Sequence, residues 1–311
     1  MPEGEEIVPN ILRTTTVGDV VKDQILREAL ANEKVSTVAD RLSEHHISSC
    51  PVFSEDEEKK EFLGLVDFSD VVALLIHAEW KDVQEGSSVW AKFGNTPIVK
   101  AIDLGHRNPA VKINIGADLS DAVELIAAQN LRRLVVEDDN GTIVAILSPS
   151  QMMKSILSKL DGRLDTTLNE TIANLDMCSK KEVLTVNKEE SLLVAMHSML
   201  SNQVSAIAIV DKGSGHLAGS VSMSDVKVLF RERKFKRLQQ SCWKYIQSMR
   251  ERSDFEVFPF FGVGETAKLQ SVISKLLVTS VHHLYVVNKE NTPIHVISFA
   301  DVCKGLTANL D

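Results

Sequence analysis

Positive charge is in short supply. The 34 Lys and Arg are outnumbered by 43 Asp and Glu among 311 residues, which leaves a net charge of −9 and a pI near 5.5. General affinity for nucleic acid or for an anionic membrane needs the opposite surplus, so both partner classes are set aside. A small basic pocket for a phosphate is not excluded. Cysteine is scarce too. Cys50, Cys178, Cys242 and Cys303 lie far apart and form no Cys-x-x-Cys pair. That argues against a disulfide scaffold or a zinc site, and for a reducing compartment, expected to be the cytoplasm or the nucleus. No apolar run approaches the roughly 20 residues that span a bilayer; the longest, such as Val71–Ile76, fit a buried element. The opening MPEGEEIVPN is acidic and lacks the apolar stretch of a secretory leader. Catalytic signatures are missing as well: there is no Walker loop, no GxGxxG after a strand, no HExxH and no GxSxG. No Asp or His falls into an acid–base or nucleophile pairing. The expectation is a chain with no catalytic residues, no metal and no cofactor.

What the sequence has instead is length and repetition. Single cores stop growing at about 250–300 residues, so this length suggests two globular modules. Four segments open with apolar residues at helical spacing. The first has Val35, Val38, Ala39 and Leu42; the second has Leu119, Ala122, Val123, Ile126 and Ala127. The third has Leu192, Ala195, Met196, Met199 and Leu200; the fourth has Leu269, Val272, Ile273, Leu276 and Leu277. A strand-like run begins 12 residues after the start of each helix, at Ile47, Leu131, Val204 and Val281. Independent helices would not share that register by chance. A polar turn follows (SEDEEKKE, DDNG, DKGSG or NKEN), then a second strand from Phe62, Thr142, Leu217 or Ile294. A second helix begins at a junction marked by Asp70, Gln151, Asp225 or Asp301. The unit is therefore helix, strand, strand, helix. One such unit leaves an apolar sheet face bare, and pairing covers it.

This pattern resembles the CBS repeat, whose tandem pairs are called Bateman modules. The likeness spans about residues 13–306. Within that superfamily it is similar to the gamma regulatory subunits of AMP-activated and SNF1-related kinases. Val204-Ser205-Ala206-Ile207 looks like the VSAL of the family's third repeat, Val281-His282-His283-Leu284 like the VHRL of its fourth, and Ser298-Phe299-Ala300-Asp301 like the SLSD there. The resemblance implies an α/β (α+β) fold of four repeats, paired in chain order into two modules that form a flat disc. A tail at 1–12 would precede the first module at 13–160, with repeats about 13–80 and 95–160. The second module would span 161–306, with repeats about 168–232 and 253–306, and a tail would close the chain at 307–311. The module boundary is placed near Lys159–Thr167, a polar stretch with Gly162.

The resemblance also implies a ligand. In that family, nucleotides lie in clefts between paired repeats, and the junction Asp binds the two ribose hydroxyls. Asp70, Asp225 and Asp301 match that position, while Gln151 stands where animal members carry Arg. A carboxylate suits vicinal hydroxyls because it accepts two strong hydrogen bonds. The same Asp is also a common helix N-cap, and that reading stays open. Phosphates would be met by Arg132 and Arg133 in the second repeat and by His282 and His283 in the fourth. Ser48 and Ser150 occupy family positions for Arg and Lys, and neither Ser nor neutral His can bind phosphate bidentately. Thinned charge predicts weaker or altered binding, at one site. The better cleft is the one with Val204, Ser205, Ala206, Asp225, Ser298 and Asp301. The expected ligand is AMP, ADP or ATP, and the expected partners are the catalytic and beta subunits of a kinase, or a second copy through the CBS modules. The alternatives are a scaffold with degenerate sites and a binder of another adenosyl ligand such as S-adenosylmethionine.

Some segments fit no ligand role. Arg231–Arg237 (RERKFKR) reads as a solvated helix end. Trp243, Tyr245, Phe255, Phe258, Phe260 and Phe261 read as core packing before the fourth repeat, or as a partner surface. Glu85–Ala110, with Trp90 and Phe93, reads as an irregular connector. His282 and His283, adjacent on a strand, would place one imidazole outward and one partly buried.

Overall fold

A computed structural model describes residues 6–56, 59–85, 93–178, 182–250 and 262–307. Two helices come first, α1 (Ile7–Thr14) and α2 (Val17–Val21). The first repeat runs β1 (Ala29–Leu30), α3 (Val35–Glu44), β2 (Ser49–Phe53), β3 (Phe62–Asp67), α4 (Phe68–Glu85). The second runs β4 (Lys112–Asn114), α5 (Leu119–Gln129), β5 (Leu134–Glu137), β6 (Ile143–Leu147), α6 (Pro149–Leu160). After α7 (Thr166–Asn169), the third runs β7 (Thr185–Asn187), α8 (Leu192–Ser201), β8 (Ala206–Val210), β9 (Leu217–Ser222), then a 3-10 turn (Met223–Val226) into α9 (Lys227–Glu232). After α10 (Cys242–Arg250), the fourth runs β10 (Gly262–Val263), α11 (Leu269–Val278), β11 (His283–Val287), β12 (Pro293–Ser298), α12 (Phe299–Thr307).

Each repeat builds one three-stranded sheet. Its short first strand pairs in parallel with the second, and the second pairs antiparallel with the third. The helix between the first two strands supplies the crossover that a parallel pair requires. The short leading strands were not expected. At two or three residues each, they are too brief to show a two-residue alternation. The four repeat helices begin at the expected residues, and the expected stripe of α5 is its buried set.

The shared 12-residue register has a backbone cause. Each helix ends on one left-handed residue, His46 (φ 53°), Asn130 (52°), Gln203 (52°) or Ser280 (53°). The next amide bonds back into the helix: Ile47 N to Leu42 O (3.1 Å), Leu131 N to Ile126 O (3.1 Å), Val204 N to Met199 O (2.9 Å). This is the Schellman closure, which reverses the chain at a fixed distance from the helix start. It also holds Ile47, Leu131 and Val204 in the turn, and in all four repeats the strand begins two or three residues later than the apolar run.

The chain forms two compact units. One comprises Met1–Leu26, Ala110–Val183 and Phe261–Asp311; the other comprises Arg27–Pro109 and Leu184–Phe260. The first unit therefore holds repeats two and four, and the second holds repeats one and three. Each has its own continuous apolar core. This is a different partition from the sequential modules 13–160 and 161–306: each unit takes one repeat from each.

Residues 7–12 are not tail. Ile7, Val8, Ile11 and Leu12 of α1 are buried in the first unit. Asp165, itself 2% exposed, accepts from Ile7 N (2.8 Å) and Val8 N (2.9 Å) through Oδ2 and from Leu168 N (3.0 Å) through Oδ1. One carboxylate caps α1 and α7 together. The stripe was present in IVPNIL, but the acidic residues before it masked it. Residue 307 ends α12, and the remainder of the expected closing tail, 308–311, lies outside the described residues.

The connector 85–110 is ordered in its described half. Phe93 is 2% exposed, and a 3-10 turn (Ile98–Ala101) follows it. The turn lies against β3 at Gly64 (φ 144°), where a Cβ would come within 2.6 Å of Ile102 Cγ2. Trp90, Phe255, Phe258, Phe260 and Phe261 lie outside the described residues. Tyr245 is buried as expected, with its hydroxyl donating to Asp225 O at 2.7 Å.

Candidate functional site

The same corner recurs in every repeat. The first residue of one long strand pairs with the end of the other: Ser49 with Asp67, Leu134 with Leu147, Ala206 with Ser222, His283 with Ser298. The loop before the strand therefore meets the start of the second helix. The third corner gathers Val204, Ser205, Ala206 and Asp225, tied by Met223 N to Ser205 O at 2.9 Å. The fourth gathers His282, His283, Ser298 and Asp301. The second gathers Arg132 and Arg133 with Ser148 and Gln151, and the first gathers Ser48 with Asp67 and Asp70. The third corner lies in one unit and the fourth in the other.

Each junction is a capping box, in which residue and residue-plus-three satisfy each other's backbone amides. In the third corner Asp225 Oδ2 accepts from Ser222 N (2.6 Å) and Ser222 Oγ (3.0 Å). In the fourth, Asp301 Oδ2 accepts from Ser298 N (2.9 Å) and Oγ (2.7 Å). In the second, Gln151 Oε1 accepts from Ser148 N (2.8 Å) and Oγ (2.7 Å). The cap thus uses one oxygen in each. Asp225 and Asp301 keep a second acceptor, Oδ1, and Gln151 keeps an amide donor instead. The cap at Asp225 and Asp301 therefore does not exclude the ligand reading, because its hydrogen bonds draw on Oδ2 alone. Ser148 and Ser222 went unremarked in the sequence, although the Ser-x-x-Asp/Gln spacing of a capping box was there to read.

The first corner differs. Asp67 takes the Ser position, and its Oδ1 accepts from Ser69 N (2.6 Å) and Asp70 N (3.2 Å). Asp70 has no exposed surface. Its carboxylate accepts from Asp67 N (2.8 Å), Gly105 N (2.9 Å) and Asn108 Nδ2 (2.7 Å).

Burial pushes the Asp225 carboxyl up, while the Ser222 hydrogen bonds and the Lys227 charge pull it back. Lys227 is a cation that sequence reading missed, being on the helix and not on a strand. Its Nζ donates to Ile47 O at 3.3 Å and lies 5.2 Å from the Phe68 ring, so it ties the third repeat to the first. At Asp301 the cation is Lys304, with Nζ 3.6 Å from Oδ1. Arg133 is buried, at 5% exposed, just ahead of β5, and Arg132 is half-buried. His282 is exposed and edge-on to Phe299 (6.2 Å between centroids), and His283 is half-buried, as alternation predicted. Val204 and Ala206 are half-buried and Ser205 is buried. In the basic run, Arg233 pairs with Asp40 (2.6 Å) and Lys234 with Glu232 (3.3 Å), while Arg237 lies 5.2 Å from the Tyr245 ring. Among the described residues no group of three His, Cys, Asp or Glu could hold a metal, and no helix is long and apolar enough to cross a membrane.

The sequence profile of the CBS domain matches residues 17–77, 99–158 and 175–232. The chain belongs to the CBS-domain family. The fourth repeat, outside those matches, joins it through the same sheet and the same capped junction. Among curated proteins, Protein SDS23 of Eremothecium gossypii is 25% identical over 278 residues, covering 83% of this chain and 56% of the relative. Protein sds23 of Neosartorya fischeri is 26% identical over 295 residues, covering 88% and 53%. The chain spans about half the length of the curated relatives it matches. Among solved structures, protein MJ1225 of Methanocaldococcus jannaschii superposes with a TM-score of 0.73 at 14% identity, covering 94% of this CBS chain and 100% of its own. A conserved protein of Pyrococcus horikoshii reaches 0.52 at 17% identity, covering 83% and 91%. At those identities the likeness is one of fold.

Proposed function

We propose that this chain is a non-catalytic regulatory protein that binds adenine nucleotides at the corner of its third CBS repeat and, separately, at the corner of its fourth. The observation that carries the reading is the half-used carboxylate. Asp225 and Asp301 each cap a helix with Oδ2; Asp225 holds Oδ1 in reserve and Asp301 Oδ1 meets only the Lys304 ammonium at 3.6 Å, so either can accept from a ribose hydroxyl. The small side chains of Ser205 and Ala206 stand at the same corner, where they favour the approach of a flat base over that of a bulky group. The finer reading is a gamma-like subunit that modulates a protein kinase, with catalytic and beta subunits as partners. It draws on the VSAI and VHHL segments and on the fold of MJ1225, which is described as a candidate archaeal homologue of g-AMPK. Ligand binding would act on the kinase by favouring one of two states, in proportion to its difference in affinity between them.

Calorimetry of the chain with AMP, ADP and ATP tests this. Binding should weaken at least about tenfold in Asp225→Ala or Asp301→Ala, since a hydrogen bond to a charged group is worth about 1.5–3 kcal/mol. No heat with any of the three at millimolar concentration would sink the reading. A second ligand is favoured by one observation. Lys227, the cation whose charge acts on Asp225, is already engaged by Ile47 O, and Ser48 and Ser150 bring no charge to their corners. An adenosyl compound without phosphates, such as S-adenosylmethionine, needs none, and tighter binding than AMP in the same titrations selects it.

A further inference from the structure

The four corners share one design, and in the first corner the ligand's place is already taken by the chain itself. Asp70 stands where Asp225 and Asp301 stand, but both of its oxygens are in use. Oδ2 serves the cap, as in the other repeats, and also receives Asn108 Nδ2 at 2.7 Å. Oδ1, the oxygen left over elsewhere, receives Gly105 N at 2.9 Å. Two donors from one short segment thus meet the two oxygens of one carboxylate, which is the pattern a vicinal diol would present.

The segment is built to hold those donors. Asp103 Oδ1 accepts from Arg107 N (2.8 Å) and Asn108 N (2.7 Å), and His106 N donates to Asp103 O (2.9 Å). Asp103 and His106 both adopt left-handed backbone (φ 46° and 51°), an unfavourable conformation that persists only where the surroundings fix it. Asp103 N bonds Leu65 O at 3.3 Å, which anchors the turn to β3. Gly105 lets the turn come close: a Cβ there would lie 3.2 Å from Asp70 Oδ1 and 3.4 Å from Ser69 Cβ. Asn108 is 2% exposed, so the contact is closed to water.

We propose that the segment Asp103–Asn108 is a resident occupant of the first corner, which withholds Asp70 from nucleosides and leaves ligand binding to the other repeats. This rests on reading the junction Asp as a ribose acceptor. It makes Gly105 and Asn108 the residues that decide which corners accept a ligand. The occupant is part of the same compact unit as Asp70, so displacing it means opening the turn and not merely exchanging a solvent shell.

The test uses the whole chain, AMP as the probe, and two readouts: calorimetric stoichiometry and hydrogen exchange of the 103–108 amides. In the natural chain, Asp70→Asn should leave the number of AMP sites unchanged, and AMP should leave the exchange of Gly105 unchanged. Asn108→Ala removes one donor. Gly105→Ala presses the turn outward without removing a polar group, so it decides the matter if Asn108→Ala fails to fold. Either variant should speed exchange over 105–108 at least about tenfold, the loss expected for a hydrogen bond to a charged acceptor, and should add one AMP site. Loss of a site in Asp70→Asn, or AMP-induced deprotection of Gly105, overturns the proposal. So does an opened turn that gains no site. Failure of the nucleotide reading itself shows elsewhere, as AMP heat that Asp225→Ala and Asp301→Ala leave untouched.

Discussion

Asp165→Ala should release the first helix. Burying Ile7, Val8, Ile11 and Leu12 is worth about 6–12 kcal/mol at about 1.5–3 per side chain. Ordering the 8 residues of α1 costs about 8–16 kcal/mol at about 1–2 per residue. The two nearly cancel, so the helix depends on its cap. Asp165 Oδ2 contributes two bonds to Ile7 N and Val8 N, each worth about 1.5–3 kcal/mol because the acceptor is charged. Their loss of about 3–6 kcal/mol tips the balance, and the same change uncaps α7 at Leu168 N. Hydrogen exchange followed by mass spectrometry should show residues 8–14 losing protection, while α5 and α11 keep theirs. Asp165→Asn retains one acceptor and should fall between. Unchanged protection of α1 in Asp165→Ala, with less than about 1 kcal/mol lost in denaturant unfolding, would refute this account of what docks the helix.

Three further outcomes follow from the same geometry. Gln203→Gly should stabilise the chain by about 0.5–1 kcal/mol, since Gln203 sits at a left-handed helix end where a Cβ is penalised; a lower midpoint in urea would contradict the Schellman closure. Asp225→Asn should raise thermal stability at pH 7 while weakening nucleotide binding. Burial raises this carboxyl above its ordinary value, so the native state holds its proton more tightly than the unfolded state, and stability falls as pH rises through that window. The variant's advantage should therefore vanish as pH drops below about 4, and an advantage independent of pH would refute the cause. Cys242 and Cys303 are buried with thiols pushed up to about 12, so a thiol reagent at pH 8 should modify them only after unfolding. Fast modification of either in the folded chain would show that the cores open.

The helix stripes could be read directly, because an amphipathic helix writes its buried face at a period that few substitutions disturb. Val35, Leu119, Leu192 and Leu269 each open the helix expected of them. The left-handed residues that set the register could not be found, since His46, Gln203 and Ser280 are not the glycines that normally mark such ends. At the junctions, sequence could not separate cap from ligand. Both roles ask for a carboxylate at the start of the helix, and only the folded chain shows that the cap draws on Oδ2 alone at Asp225 and Asp301. Asp70 was the harder case. It matches Asp225 by position, yet its neighbours Gly105 and Asn108 come from a stretch with no periodicity at all. Burial of Arg133 was likewise hidden, because Arg is almost never fully buried and nothing in its own segment says what covers it.

The interleaving of repeats one with three and two with four has a consequence for synthesis. The half-core formed by 27–109 has to wait for residues beyond Leu184 before its partner exists. The intervening stretch is roughly 75 residues, a delay on the order of 4–15 s at about 5–20 residues per second. During that interval Val72, Leu75 and Ile76, which pack within the second unit's core, have no mate from the third repeat. High contact order of this kind slows folding and prolongs exposure of apolar surface. A chain cut after Leu160 would carry two unmatched halves, and not one finished module.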